Sequence, residues 1–119
     1  RIVRAMENPH CDILFHPTGR LVQKREPYDV NIDVIIATAE KTGTILEINA
    51  FPVRLDLKDI HIKQAKEAGA KFSIDSDAHS TEHLSYLKYG ISQARRGWAE
   101  QTDIINTYSV EKMKSFLKK

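Results

Sequence analysis

Short apolar, β-leaning runs recur along the chain at Cys11–Phe15, Thr44–Asn49, Lys71–Asp75 and Asp103–Thr107, each followed by a loop and then by a segment with helical spacing. The repeat is roughly 30 residues, the size of a βα unit. Ile32, Ile35, Ile36 and Ala39 predict one helix, with Asp29 as its N-cap and Gly43 as its stop. Ile62, Ala65 and Ala68 predict a second, closed by Gly69. Leu84, Leu87, Ile91 and Ala94 predict a third, ending at Arg95, Arg96 and Gly97, and Val110, Met113 and Leu117 a terminal one. Ile2, Val3 and Met6 hint at a helix before the first strand. Strands that alternate with helices in this way predict a parallel sheet.

Alternation within the strands refines this. Cys11, Ile13 and Phe15 would share one face and Asp12, Leu14 and His16 the other; Leu46 and Ile48 oppose Ile45, Glu47 and Asn49; Phe72 and Ile74 oppose Ser73, Asp75 and Asp77. One face is apolar and the other becomes polar toward the strand ends. A doubly wound sheet, covered on both faces, should read apolar throughout. A β/α barrel, with helices outside and polar groups at the inner mouth, fits better. The expected class is therefore α/β, a partial distorted β/α barrel of about four βα units. The alternative is a small open sheet whose polar face is capped by a partner.

Composition adds limits. The chain has 119 residues, 41% hydrophobic and 29% charged, and its 18 basic against 16 acidic residues give a net charge of +2, too balanced to argue nucleic-acid binding from bulk electrostatics. The single cysteine, Cys11, excludes an internal disulfide and fits a reducing compartment. No apolar stretch approaches a membrane span, and nothing resembles a signal peptide, so a cytoplasmic location is expected.

The polar residues that stand out collect where strands end: His16-Pro17-Thr18-Gly19-Arg20, Glu47-Ile48-Asn49 and Asp75-Ser76-Asp77-Ala78-His79. That edge is where parallel α/β architectures build sites. Imidazole and carboxylate converging there suit Zn²⁺, Mn²⁺ or Fe²⁺. The bland readings are a helix-capping Asp77, a turn-forming His79 and a structural His16. Arg20 and Arg54, in loops beyond the strands, are candidates to grip a phosphate, or else structural ion pairs. Asn49 is a candidate to orient a ligand, and Glu47 faces the polar side as a candidate base. Arg95 and Arg96 read as a favourable helix end, and Lys58, Lys63, Lys66 and Lys71 as a solvated face. His10, His61 and His83 match no ligand spacing and read as solvated or structural.

His16-Pro-Thr-Gly-Arg20, Glu47-Ile-Asn49, Arg54-Leu-Asp-Leu57, Ser76-Asp-Ala-His79 and Ala94-Arg-Arg-Gly-Trp98 together resemble, in order, the polymerase-and-histidinol-phosphatase (PHP) domain of bacterial and archaeal family X DNA polymerases. The resemblance spans nearly the whole chain. It implies a distorted β/α barrel with a trinuclear metal centre at the strand ends, manganese-favouring, acting as a 3′-to-5′ exonuclease on DNA in the polymerases. By position it makes His16 a metal ligand from the later half of the set and Asp77 and His79 the final pair. The family's opening His-x-His motif and its next ligands are absent. The expectation is thus that residues 1–119 are the C-terminal part of the domain, closing on a natural terminus at Leu117-Lys118-Lys119. The first half of the barrel and the polymerase module would be missing, and the chain would not be a competent enzyme alone. A stand-alone histidinol-phosphatase-like enzyme and a non-catalytic scaffold that positions DNA are the competing readings. The partners implied are DNA or a phosphate ester, the rest of a polymerase chain, and a second copy through exposed strand edges.

Overall fold

A computed structural model describes residues 1–118, so the chain's last residue, Lys119, lies outside the described residues. The elements are α1 (Ile2–Met6), β1 (Ile13–Leu14), α2 (Ile32–Thr42), β2 (Ile45–Asn49), α3 (Asp59–Glu67), β3 (Phe72–Asp75), α4 (Leu87–Arg96) and α5 (Val110–Lys114). Short 3-10 helices at Thr81–Tyr86, Gln101–Asp103 and Ile105–Thr107 join the later ones. The strands form one parallel sheet in the order β1-β2-β3, and helices α1 to α4 neighbour one another in chain order. This is the arrangement of successive βα units. The sheet has three strands and does not close among the described residues.

The predicted helices hold, with shifts at their ends. α2 is capped not by Asp29 but by Asn31, whose side chain accepts from the Val34 N–H at 3.2 Å. Asn31 sits in extended backbone directly before the first helical residue, as a cap requires. Gly43 ends the helix at φ 71° and Gly69 follows α3 at φ 90°. The third predicted stripe is the clearest correction. Leu84 belongs to a 3-10 helix, and Leu84, Leu87 and Ile91 are exposed, while Gly90, Gln93 and Ala94 face inward. Close packing explains this: a Cβ at Gly90 would lie 2.5 Å from Ile74 Cγ2 and 2.8 Å from Ala50 Cβ, so α4 rests directly on the sheet through its smallest residues.

The predicted fourth strand, Asp103–Thr107, does not form. Asp103 accepts the Glu100 N–H at 2.8 Å and winds the chain into a turn instead. What remains is a lone parallel bridge between Phe72 and Ile104, followed by the Asn106 amide. Its Oδ1 accepts from Ile74 N–H at 2.8 Å and its Nδ2 donates to Ile74 C=O at 3.1 Å, so one side chain does for the edge of β3 what a strand would have done.

Leu46, Ile48, Phe72 and Ile74 turn one sheet face toward Ile35, Ile36, Ala39, Ile62, Ala65 and Ala94 of the helices, and this is the core. Glu47, Asn49, Ser73 and Asp75 occupy the opposite face. The register pairs Leu14 with Leu46 and Ile13 with Ile45, so Leu14 belongs to the core face and does not share the polar face with His16. No helix among the described residues is long and apolar enough to cross a membrane.

Candidate functional site

The register also sets the polar face at the carboxyl ends of the strands, where Glu47 stands beside Ser73 and Asn49 beside Asp75. β1 stops at Leu14, and His16 takes φ 48°, a left-handed conformation rare for a residue with a Cβ. That turn, not strand alternation, brings His16 across to Glu47. Asp77, just past β3, takes φ 53° and Leu55, past β2, φ 44°, so each strand is followed by a left-handed non-glycine residue. Such backbone persists only where surrounding contacts hold it, and it gathers at functional sites.

The contacts that hold it are visible. Asp56 is fully buried and accepts from Thr18 N–H at 3.1 Å, Thr18 Oγ1 at 2.8 Å and Gly19 N–H at 2.8 Å. Gly19, at φ 63°, has the Tyr28 ring where a Cβ would be, 1.9 Å from the nearest ring carbon. Arg20 donates through Nε to Arg54 C=O at 2.9 Å and through a terminal nitrogen to Leu55 C=O, and burial holds its guanidinium below its ordinary pKa. Arg20 therefore ties the 16–20 loop to the 51–57 loop. Asp56 does the same from the other side. Sequence reasoning assigned Asp56 no role, since its importance lies in a fold-dependent meeting of two loops almost 40 residues apart.

Asn49 is the meeting point. Its Oδ1 accepts from Phe51 N–H at 3.0 Å, which turns its Nδ2 toward three acceptors: Glu47 Oε1 at 3.2 Å, Asp77 Oδ2 at 3.3 Å and His16 Nδ1 at 3.3 Å. The reverse orientation would set a carbonyl oxygen against two carboxylates. Glu47 Oε2 accepts from His16 N–H at 2.7 Å. Arg54 Nε lies 3.2 Å from Asp77 Oδ2, with both side chains partly exposed.

Glu47 is 2% exposed, and burial, reinforced by Asp75 and Asp77, raises its pKa to about 7 against the hydrogen bonds from His16 and Asn49. Burial likewise raises Asp75, with the Ser73 hydroxyl bond at 2.6 Å opposing it. The site is thus rich in carboxylates, with Arg54 the cation paired at its rim.

His79 stands just outside. Its Nδ1 lies 2.7 Å from Asp77 C=O, and its N–H donates to His83 Nδ1 at 3.0 Å. A carbonyl can only accept, so His79 Nδ1 carries the proton of this bond, and in the neutral imidazole the lone pair is on Nε2. Phe51 packs edge-on against His79, His83 and Tyr86. His10 is exposed, and the His61 Nδ1 on α3 is buried without a hydrogen-bond partner; neither bonds to Asn49 or Glu47.

The structure therefore brings His16, Asn49, Arg54 and Asp77 together around one amide, joins His79 to Asp77 through its backbone, and directs Arg20 into the loop. The donor types suit a borderline divalent ion, and the free Nε2 of His79 is the lone pair such an ion needs. Yet among the described residues no group of three or more His, Cys, Asp or Glu is gathered closely enough to hold a metal ion.

Compared with known proteins, the chain matches no family model. It is 44% identical over all 119 of its residues to the DNA polymerase/3′-5′ exonuclease PolX of Bacillus subtilis (strain 168), of which it covers 21%. It is 27% identical over 123 aligned positions to a probable phosphatase of Thermoanaerobacter sp. (strain X514), which takes in 98% of this chain and 47% of the relative. A probable phosphatase of Caldanaerobacter subterraneus is 25% identical, and the chain covers 45% of it. The chain spans about a fifth of the polymerase and under half of each phosphatase. Along its whole length it is similar to one segment of a PolX DNA polymerase/3′-5′ exonuclease, in keeping with the resemblance carried by its motifs.

Proposed function

We propose that this chain carries part of a metal-dependent phosphoesterase site, in a larger polymerase that hydrolyses phosphodiesters with 3′-to-5′ polarity. The observation that supports it most is the convergence of His16 and Asp77 on Asn49, beside a buried carboxylate with a pKa of about 7. The similarity to a polymerase/exonuclease and to probable phosphatases supports a phosphoesterase-type function independently.

In this reading His16, Asp77 and His79 hold Mn²⁺, or Zn²⁺ or Fe²⁺ in its place, as a partial set completed by residues beyond this chain. The ion would polarise a phosphoryl oxygen and acidify a bound water. Arg54 fixes Asp77 and offers its guanidinium to a substrate phosphate, and Asn49 orients Asp77, while His16 would turn toward the ion the Nδ1 that accepts from Asn49. Glu47, poised near neutrality, accepts a proton within the site. Arg20 contributes by anchoring the loop that carries Arg54.

The test is metal affinity in the full-length protein, measured by Mn²⁺ calorimetry beside hydrolysis of a single-stranded oligonucleotide. Asn49→Ala is expected to weaken Mn²⁺ binding by about 10- to 100-fold. Asp77→Asn should abolish the same site. Unchanged affinity in both variants would remove these residues from the centre. The isolated chain should hold Mn²⁺ at well below one ion per chain by elemental analysis. A second reading, a phosphatase acting on small phosphate esters, is favoured by the probable phosphatases among the relatives; faster turnover of a monoester than of the oligonucleotide would establish it.

A further inference from the structure

Outside the Asn49 hub, the densest contacts between chemistry-bearing side chains join Phe51, His79, His83 and Tyr86. His83 lies in the 3-10 helix Thr81–Tyr86 and is half-buried. It stacks on Tyr86 with centroids 4.9 Å apart at 19°, and it meets Phe51 edge-on at 5.2 Å and 87°. With the ring clamped on two sides, its Nδ1 accepts the His79 N–H at 3.0 Å. An accepting Nδ1 places the His83 proton on Nε2. His79 is in the opposite state, with its proton on Nδ1 and directed to Asp77 C=O at 2.7 Å. The Phe51 ring that touches both imidazoles is tethered to Asn49 Oδ1 through its own N–H at 3.0 Å.

We infer that His83 is a positioning residue for His79: it holds the His79 backbone so that the imidazole is locked in the Nδ1–H form with Nε2 free to ligate. The inference rests on the reading of His79 as a metal ligand, but the lock itself is a property of the metal-free chain. Neither side of this arrangement follows from spacing. The i, i+4 relation of His79 and His83 is used to present one imidazole as acceptor to the other's amide, and not to offer two imidazoles to one ion. His83 therefore does not bind the ion in this arrangement, and its role is to fix which nitrogen of its neighbour does.

Two substitutions separate the acceptor from the stack. His83→Asn keeps an acceptor where Nδ1 stood, and His83→Phe keeps the ring against Tyr86 and Phe51 without one. Long-range proton–nitrogen spectra of the metal-free chain, above the imidazole titration range, read the tautomers directly. The expected result is Nδ1–H for His79 and Nε2–H for His83 in the wild type. His79 should remain Nδ1–H in His83→Asn. In His83→Phe it should revert toward the Nε2–H form, with its amide exchanging about tenfold faster. Retention of both properties in His83→Phe, or their equal loss in both variants, would overturn the inference. Should His83→Phe fail to fold, a wild-type His83 protonated on Nδ1 overturns it alone. A Mn²⁺ titration of the full-length wild type, read by paramagnetic broadening at His79, then tests the functional reading separately: no broadening sinks the ligand assignment and leaves the tautomer result standing.

Discussion

At the scale of single residues, Glu47 sets a pH dependence with a definite sign. Its pKa rises from 4.5 to about 7 on folding because the folded chain buries the carboxylate beside Asp75 and Asp77. The folded state therefore binds the proton more tightly than the unfolded state, and the stability linked to Glu47 is fully present below 4.5 and is lost as the pH rises through about 7. The loss amounts to about 3 kcal/mol at most. Glu47→Gln removes the charge and keeps an acceptor for the His16 N–H. Its stability relative to wild type, from urea unfolding at a series of pH values, should climb between those limits and level off above them. A difference independent of pH would show that the carboxylate is not held away from water. Asp56, in the loop beyond β2, is fully buried too and meets three hydrogen-bond donors, Thr18 N–H, Thr18 Oγ1 and Gly19 N–H, which commits it to joining two loops.

At the scale of elements, the edge of β3 depends on one amide. Asn106→Ala leaves both Ile74 N–H and Ile74 C=O without their partner and should cost about 2 kcal/mol in urea unfolding, with faster exchange of the Ile74 amide; Asn106→Asp, which keeps the acceptor alone, should fall between. An unchanged Ile74 amide would mean the edge is protected by something else. This edge is also where the sequence misleads. Asp103–Thr107 has the apolar content of a strand, but Asp103 is spent on the Glu100 amide, and pattern alone does not reveal where a side chain will be spent. The β-strands and α-helices that could be read were those with local signals: Gly43 and Gly69 as stops, Ile45–Asn49 as an apolar run, Ile32–Thr42 as a 3.6-residue stripe. The inward face of α4 was misread because Gly90 and Gln93 stand on it beside Ala94, and a glycine that permits close approach and a buried glutamine leave no apolar stripe to count. The site was half legible. His16, Asn49, Arg54 and Asp77 stand out as polar residues at the strand ends or in the loops beyond them, whereas Asp56, though inside the Arg54–Leu57 motif, and His83 meet partners that only the fold supplies.

At the scale of the whole molecule, the radius of gyration is 13.5 Å, matching the roughly 13.5 Å expected of a folded chain of this length. The three βα units thus condense around their own core. They nonetheless leave a ridge uncovered. Leu84, Leu87 and Ile91 are 57%, 40% and 50% exposed, beside a 150 Å³ hollow lined by Ile74, Leu87, Ile91 and Ile104. Sedimentation of the isolated chain should show concentration-dependent self-association, and Leu87→Asp combined with Ile91→Asp should abolish it. A wild-type monomer at every concentration would count against this. The polar face carries a different kind of incompleteness. The Asn49 amide has two protons and three claimants, one from each of the loops or strands that β1, β2 and β3 deliver. Whichever acceptor is drawn away, the remaining two are served better. Were a cation to take Asp77 Oδ2, as proposed above, the two amide protons would be left to Glu47 and His16, one each, and a crowded donor would become a matched one.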